Sequence, residues 1–370
     1  MNRRIAYVLM IALCTALVAL SLLVKRDDVR ELERGEFTKF STEFFDTFDT
    51  HVTFTAFAPD EAAFERYAKI AHDEMTRLHR LFDIYNLYDG TSNIRTINEN
   101  AGVSPVVVDS SIIDLLTIAR DAYGYTDGAV NVALGPVLSI WHDLRTRALS
   151  GDNEFSIPTP EALTLASTHT SVDDIVIDSE SSTVFLRCKD MSLDVGALAK
   201  GYAVQKTVEL LRKSGLESAL INAGGNVVAT GAPLDGRSAW SIGVRAPVEE
   251  EMSENMLDVL YVPSGAIVTS GNYQRFFKHD GRSYHHIIDP ATLYPAEYTR
   301  AVTVLHPDST TADILSTAAF ILGYDRARAL IGSLGAEALW VTADGAIIMT
   351  DGYRRISQLG KANSSQDLKQ

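Results

Sequence analysis

Two periods of apolar spacing run through the chain, and the points where one gives way to the other mark its elements. From Thr50 to Phe57, His51, Thr53 and Thr55 alternate with Val52, Phe54 and Ala56, which predicts a half-buried strand. Phe64, Tyr67, Ala68, Ala71, Met75, Leu78 and Leu81 then recur at helical spacing, so a helix capped by Asp60 is expected to run to about Phe82. Further helices are expected at Ser111–Ala122 and Leu198–Lys213, the second stopped by Gly215. Short strands are expected near 174–177, 183–187, 192–195, 219–222, 240–244, 257–262, 266–269, 284–288 and 301–305, followed by two helices and a closing pair of strands. Strands that mostly follow one another directly, with a few long helices between, predict an α+β (mixed α/β) body around a largely antiparallel sheet, not a doubly wound parallel one.

Three segments lie outside this pattern. Arg3 and Arg4 precede an uncharged run from Ile5 to Val24 that ends at Lys25 and Arg26. About 20 apolar residues suffice to cross a bilayer, so residues 1–26 are expected to anchor the chain in a membrane with its body outside the cytoplasm. A cleaved signal ending near Ala19 and Ser21 stays open, as does a lipoprotein signal, although Leu13 before Cys14 suits lipidation poorly. Residues 27–45 begin with a charged stretch and are expected to link this segment to a domain over 46–356. The polar residues 357–370 are expected to be disordered.

The remaining bulk properties exclude more than they assign. The chain has 370 residues, 46% of them hydrophobic, ample for a large core. A formal net charge of −15 argues against a nucleic-acid binder. Its two cysteines, Cys14 and Cys188, give the body neither an internal disulfide nor a zinc-type pair.

Five constellations carry candidate chemistry. Asp194-Val-Gly-Ala-Leu-Ala-Lys200-Gly-Tyr-Ala203 places small residues where a strand gives way to a helix. Such a turn lets backbone approach a ligand and offers free N–H groups to an anion, yet it is also a plain tight turn. Asn222-Ala-Gly-Gly-Asn226 is a hairpin signal first and a candidate site second. Thr269-Ser-Gly-Asn-Tyr273, followed by Arg275, fits either a turn or a phosphate contact. His285 and His286 lie in a predicted strand, so at most one faces a given site, where it could act as a general base. Asp313 and Thr317 share one helical face, a carboxylate and hydroxyl suited to Mg²⁺, although Thr310-Thr-Ala-Asp313 also reads as a capping cluster.

The order of these motifs resembles the ApbE family of FAD:protein FMN transferases from about Thr50 to Thr350. Weaker echoes lie at Phe82–Asn98 and Gly128–Trp141. The resemblance implies two lobes around an FAD site and Mg²⁺-dependent cleavage of the FAD pyrophosphate. FMN would then be attached through a phosphoester to a threonine or serine of an acceptor redox subunit, with release of AMP. It assigns FAD contacts to Phe48, Tyr85, Ala129, Val130, Asn131, Asp194, Lys200 and Ile288. It assigns the metal to Asp313, Thr317 and the Ala197 carbonyl, with Ser316 at the margin, and catalysis to His286. The acceptor would be a membrane-bound subunit on the outer, periplasmic side of a bacterial inner membrane.

The chain departs from the family pattern at four places. Asn131 replaces an Asp, Ala197 the second Gly of a pair, Leu293 a Gly, and Phe48-Asp49 a Met-Gly. An FAD pyrophosphatase using water as the nucleophile would need the same residues. A flavin carrier without turnover is the alternative from another class; it has no need of Asp313, Thr317 and His286.

Overall fold

The computed structural model describes residues 37–152, 154–248 and 255–367. The expected membrane segment lies outside the described residues. Among those described, no helix is long and apolar enough to cross a membrane.

Eight strands form the main sheet: β1 (Thr38–Thr47), β2 (Thr50–Ala58), β3 (Ala219–Ala223), β4 (Asn226–Thr230), β5 (Gly265–Gly271), β6 (Thr299–His306), β7 (Glu337–Thr342) and β8 (Ile347–Met349). Their spatial order is their chain order, and every neighbouring pair is antiparallel. The largely antiparallel α+β architecture expected from the pattern is therefore the one observed.

Three helices cover one face: α1 (Glu61–Phe82), α2 (Ala199–Lys213) and α3 (Ser309–Ser333). Asp60 caps α1 by accepting the Ala63 N–H at 2.7 Å. Helix α3 breaks at Gly323, whose φ of 70° and ψ of 173° no helix contains. Val52 and Phe54 of β2, Met75 and Leu78 of α1, and Ala318 and Phe320 of α3 belong to the core between these layers. A hairpin of Trp240–Arg245 and Met256–Val262, with Tyr353, covers the opposite face over Phe57, Ala229, Ile267 and Leu339. Residues 59–218, between β2 and β3, also supply a smaller group. Its helices Gly135–Leu149 and Pro160–Ser167 pack Trp141 and Leu163 against Tyr284 of the ribbon Phe276–His279/Arg282–His285.

Several expectations need correction. The linker expected over 27–45 ends earlier, because Thr38–Thr47 is the edge strand β1. Phe40 stacks on the Phe64 ring of α1 at 5.3 Å, and that apolar side of β1 gives it a place on the sheet. The tail expected to be disordered is helical over Gln358–Asp367. Its start is held by Asp258, whose carboxylate accepts the Leu359 N–H at 2.9 Å and the Ser357 hydroxyl. That acceptor comes from a distant strand, so local sequence carries no sign of it. Residues 192–195 form no ladder: the Leu193 N–H bonds the Asn98 side chain and the Asp194 N–H the Val132 carbonyl. The strand expected over 284–288 stops at His285, which leaves His286 in a bend.

Candidate active site

One end of the main sheet, the starts of α2 and α3 and the smaller group enclose a cleft of about 990 Å³. Two hairpin turns form its rim. Phe48 and Asp49 join β1 to β2, and Gly224 and Gly225 join β3 to β4; all four have positive φ, as two-residue type I′ loops require. Gly224 fits only as glycine, since a Cβ there would meet the Thr50 hydroxyl at 2.0 Å. Phe48 replaces no contact with glycine's freedom: its N–H bonds His79 Nδ1 at 3.2 Å and its ring meets the His79 ring edge-on.

Phe48, Tyr85, Ala129, Val130, Asn131, Asp194, Ala197, Lys200, His286, Ile288, Asp313 and Thr317 all line this cleft. The structure thus brings the expected site residues, except the marginal Ser316, to one place from segments up to hundreds of residues apart. Ser316 is not on the lining; its hydroxyl donates to the Asp313 carbonyl and contacts Ser270.

Asp313 is buried, and its Oδ2 accepts the Gly201 N–H at 2.8 Å and the Asn226 Nδ2 at 3.0 Å. Burial pushes its pKa up, opposed by the Lys200 charge and these two donors. Gly201 makes the approach of α2 to α3 feasible, because a Cβ would sit 2.5 Å from that of Asp313. Thr317 follows one turn later, with Ser270 at 3.5 Å. Among the described residues there is no group of three His, Cys, Asp or Glu side chains able to hold a metal. A lone buried carboxylate with hydroxyl and carbonyl oxygens near it suits Mg²⁺, which takes one or two carboxylates and completes its shell with water and substrate phosphate.

His285 ends its strand and His286 lies in the bend that follows, and the two face different surroundings. His285 is buried and bonds the Ala296 carbonyl through Nε2 at 2.8 Å. His286 borders the cleft, with Nδ1 enclosed and without a hydrogen-bond partner. Burial, then the charges of Arg275, His285 and Lys200, pull its pKa down to about 3. The ring is therefore neutral at neutral pH and can accept a proton. Across the cleft the Tyr85 hydroxyl lies 3.0 Å from His142 Nδ1, and His142 Nε2 lies 3.9 Å from Asp194. Burial and the Asp194 charge push the Tyr85 hydroxyl up to about 12.

These positions match a known sequence profile, described as the ApbE family, over residues 48–340. The chain belongs to the ApbE family. It is 38% identical over 267 residues to the FAD:protein FMN transferase of Treponema pallidum (strain Nichols), covering 68% of this chain and 71% of that one. It is 31% identical over 293 residues to the FAD:protein FMN transferase of Klebsiella pneumoniae (strain 342), covering 77% and 87%. The crystal structure of the ApbE protein from Thermotoga maritima superposes with a TM-score of 0.75 at 29% identity, covering 86% of this chain and 99% of that one.

Two departures from the ApbE pattern have local explanations. The Asn131 amide donates to the Thr170 carbonyl at 3.0 Å and accepts the Ala133 N–H at 2.8 Å. A carboxylate could cap Ala133 but would face the Thr170 carbonyl without a proton to give. Asn131→Asp is expected to lower the stability of the folded chain by about 1 kcal/mol, checked by urea unfolding at neutral pH. Leu293 adopts a φ of 65°, the conformation that a glycine holds without strain. Its carbonyl accepts the Trp141 indole N–H at 3.0 Å, and its side chain packs against the smaller cluster.

Sequence reasoning passed over Arg145 and His142 as site residues, and named Asn226 and Arg275 only within constellations that could equally be turns. Asn226 closes the Gly-Gly turn, and an Asn buried in an apolar strand was the available signal. Arg145 lies one turn beyond the buried Trp141 and next to the buried Leu144, at the margin of the helix's apolar stripe. Nothing local marks His142.

Proposed function

We propose that this chain is a divalent-cation-dependent FAD:protein FMN transferase. The observation that carries this is the assembly of Asp313, Thr317, Lys200 and His286 on one cleft in an ApbE chain whose curated relatives bear that name. The cleft is large enough for a dinucleotide, whose volume falls in the range of typical ligand sites.

The chain's residues divide the work as follows. Asp313, Thr317 and the Ala197 carbonyl hold Mg²⁺. When bound, that ion supplies charge neutralisation at the phosphoryl oxygens. Lys200, in the first turn of α2, presents positive charge to the pyrophosphate, while the Ala199 and Gly201 N–H groups of that turn bond the Val195 carbonyl and Asp313. Phe48, Tyr85, Asn131 and Ile288 border the space for the ring systems. His286 takes the proton from a threonine or serine hydroxyl of the acceptor as that oxygen attacks the FMN-side phosphorus. The new O–P bond forms as the P–O bond to AMP breaks, and AMP leaves with the electron pair. Enclosure of Nδ1 leaves Nε2 as the nitrogen that can face the hydroxyl. Little covalent work falls to the protein, so positioning and electrostatics dominate.

The acceptor is a redox subunit with an exposed Thr or Ser. With residues 1–26 as an anchor, the enzyme would work at the outer face of the bacterial inner membrane, which fractionation of the full chain would test. The activity itself is tested by incubating the chain with FAD, Mg²⁺ and a candidate acceptor domain, with and without chelator, and weighing the acceptor by mass spectrometry. A chelator-sensitive gain of one FMN supports transfer. FMN and AMP in solution with an unmodified acceptor would replace transfer by hydrolysis, and bound intact FAD would make the chain a carrier.

A further inference from the structure

Three arginines of the cleft, Arg145, Arg245 and Arg275, have no role in the account so far. Arg145, on the helix Gly135–Leu149, and Arg275, just before the ribbon strand Phe276–His279, both line the cleft of a chain with net charge −15. Arg145 Nε is enclosed and has no hydrogen-bond partner. Among the described residues the Arg275 side chain reaches only the Asp49 carbonyl, at a marginal 3.5 Å. The two charges act on each other and jointly on the Tyr85 hydroxyl, so they share one side of the cleft. Burial and then Arg275 hold the Arg145 pKa below its ordinary value.

Like charges held together in a partly dry site, one with an orphaned donor, are unfavourable until an anion joins them. Guanidinium forks match phosphate oxygens two at a time.

We infer that Arg145 and Arg275 form an anion clamp in this cleft that takes the diphosphate of the dinucleotide. Naming the diphosphate as part of FAD rests on the proposed function; the clamp itself does not. The clamp joins the smaller group, which carries Arg145, to the turn Phe48–Asp49 through Arg275.

Calorimetric titration of the full chain with inorganic pyrophosphate, FAD and riboflavin tests this, using the wild type, R145Q/R275Q and R145K/R275K. Riboflavin has the ring system without phosphate. In R145Q/R275Q, affinity for pyrophosphate and FAD should fall at least about tenfold, while riboflavin affinity stays within about twofold. The lysine pair keeps charge but not the fork, so it should recover part of the loss. Undetectable pyrophosphate binding by the wild type, or unchanged affinity in R145Q/R275Q, overturns the clamp. Equal loss of riboflavin and pyrophosphate also overturns it, since that marks a collapsed cleft. If pyrophosphate behaves as expected while FAD does not bind the wild type, the clamp stands and the proposed function falls.

Discussion

His286→Ala is expected to lower FMN transfer by about 10²–10⁴-fold, the range for loss of a positioned general base, while FAD affinity changes by less than about threefold. The structure separates the two effects because His286 borders the cleft and its enclosed Nδ1 makes no hydrogen bond that would hold a wall in place. Single-turnover transfer to an acceptor domain measures the first quantity and fluorescence titration of FAD the second. Transfer within tenfold of wild type would remove His286 from the proton path.

The pH dependence sharpens that test. The ring's pKa lies near 3, so in the free protein it is in the accepting form down to strongly acidic pH. An acid limb in kcat/KM due to this group should therefore lie below about pH 5, well under the ordinary histidine value. A bound diphosphate brings negative charge beside the ring and raises its pKa, so the acid limb of kcat should lie at higher pH than that of kcat/KM. The same shift bears on folding. An unfolded histidine takes up its proton near pH 6.5 and the folded one near 3, so the contribution to stability is complete above about pH 6.5. It is lost as pH falls from there toward 3, and His286→Ala should flatten that part of the stability profile.

Asp313→Asn is expected to cost about 10²–10³-fold in turnover without unfolding the chain. The amide oxygen can still accept from Gly201 or Asn226, but the charge that would hold a divalent ion is gone. Burial disfavours the carboxylate when no cation is present, as the raised pKa indicates. The variant should therefore melt no lower than wild type in chelator, and added Mg²⁺ should raise the melting temperature of wild type only. A Mg²⁺-dependent melting shift that survives in Asp313→Asn would locate the ion elsewhere.

Much of this architecture could be read from local patterns, where local patterns decide the structure. The α1 stripe, the Gly-Gly turn and the strand pairs around it appear where periodicity and turn chemistry place them. Edge strand β1 is an instructive miss. Phe40, Thr42 and Phe44 do alternate with Lys39, Ser41 and Glu43, but the charged stretch before them suggested a linker. The helix at Gln358–Asp367 depends on Asp258, about a hundred residues earlier, so no local window contains its cause. The site divides in the same way. Asp313, Thr317 and His286 stand in motifs with distinctive neighbours. Arg145 and His142 acquire meaning only from what the fold sets opposite them.

The sheet whose spatial order repeats its chain order has a consequence for how the molecule assembles. Hairpins β1–β2 and β3–β4 each close over a two-residue turn, so they can form early and independently. Joining them means pairing Val52–Ala56 with Ala219–Ala223 across residues 59–218. The entropy of closing so long a loop rises slowly with length, by about 0.6 kcal/mol per doubling. Yet contacts this remote in sequence slow folding, because the loop must close before they reward it. Tyr85, Asn131, Asp194 and Lys200 all lie inside that loop, on the far side of the same β2–β3 seam from Asp313 and His286. A nascent chain therefore has no catalytic cleft until this seam zips, and damage to the seam silences the enzyme without touching a single residue of its chemistry.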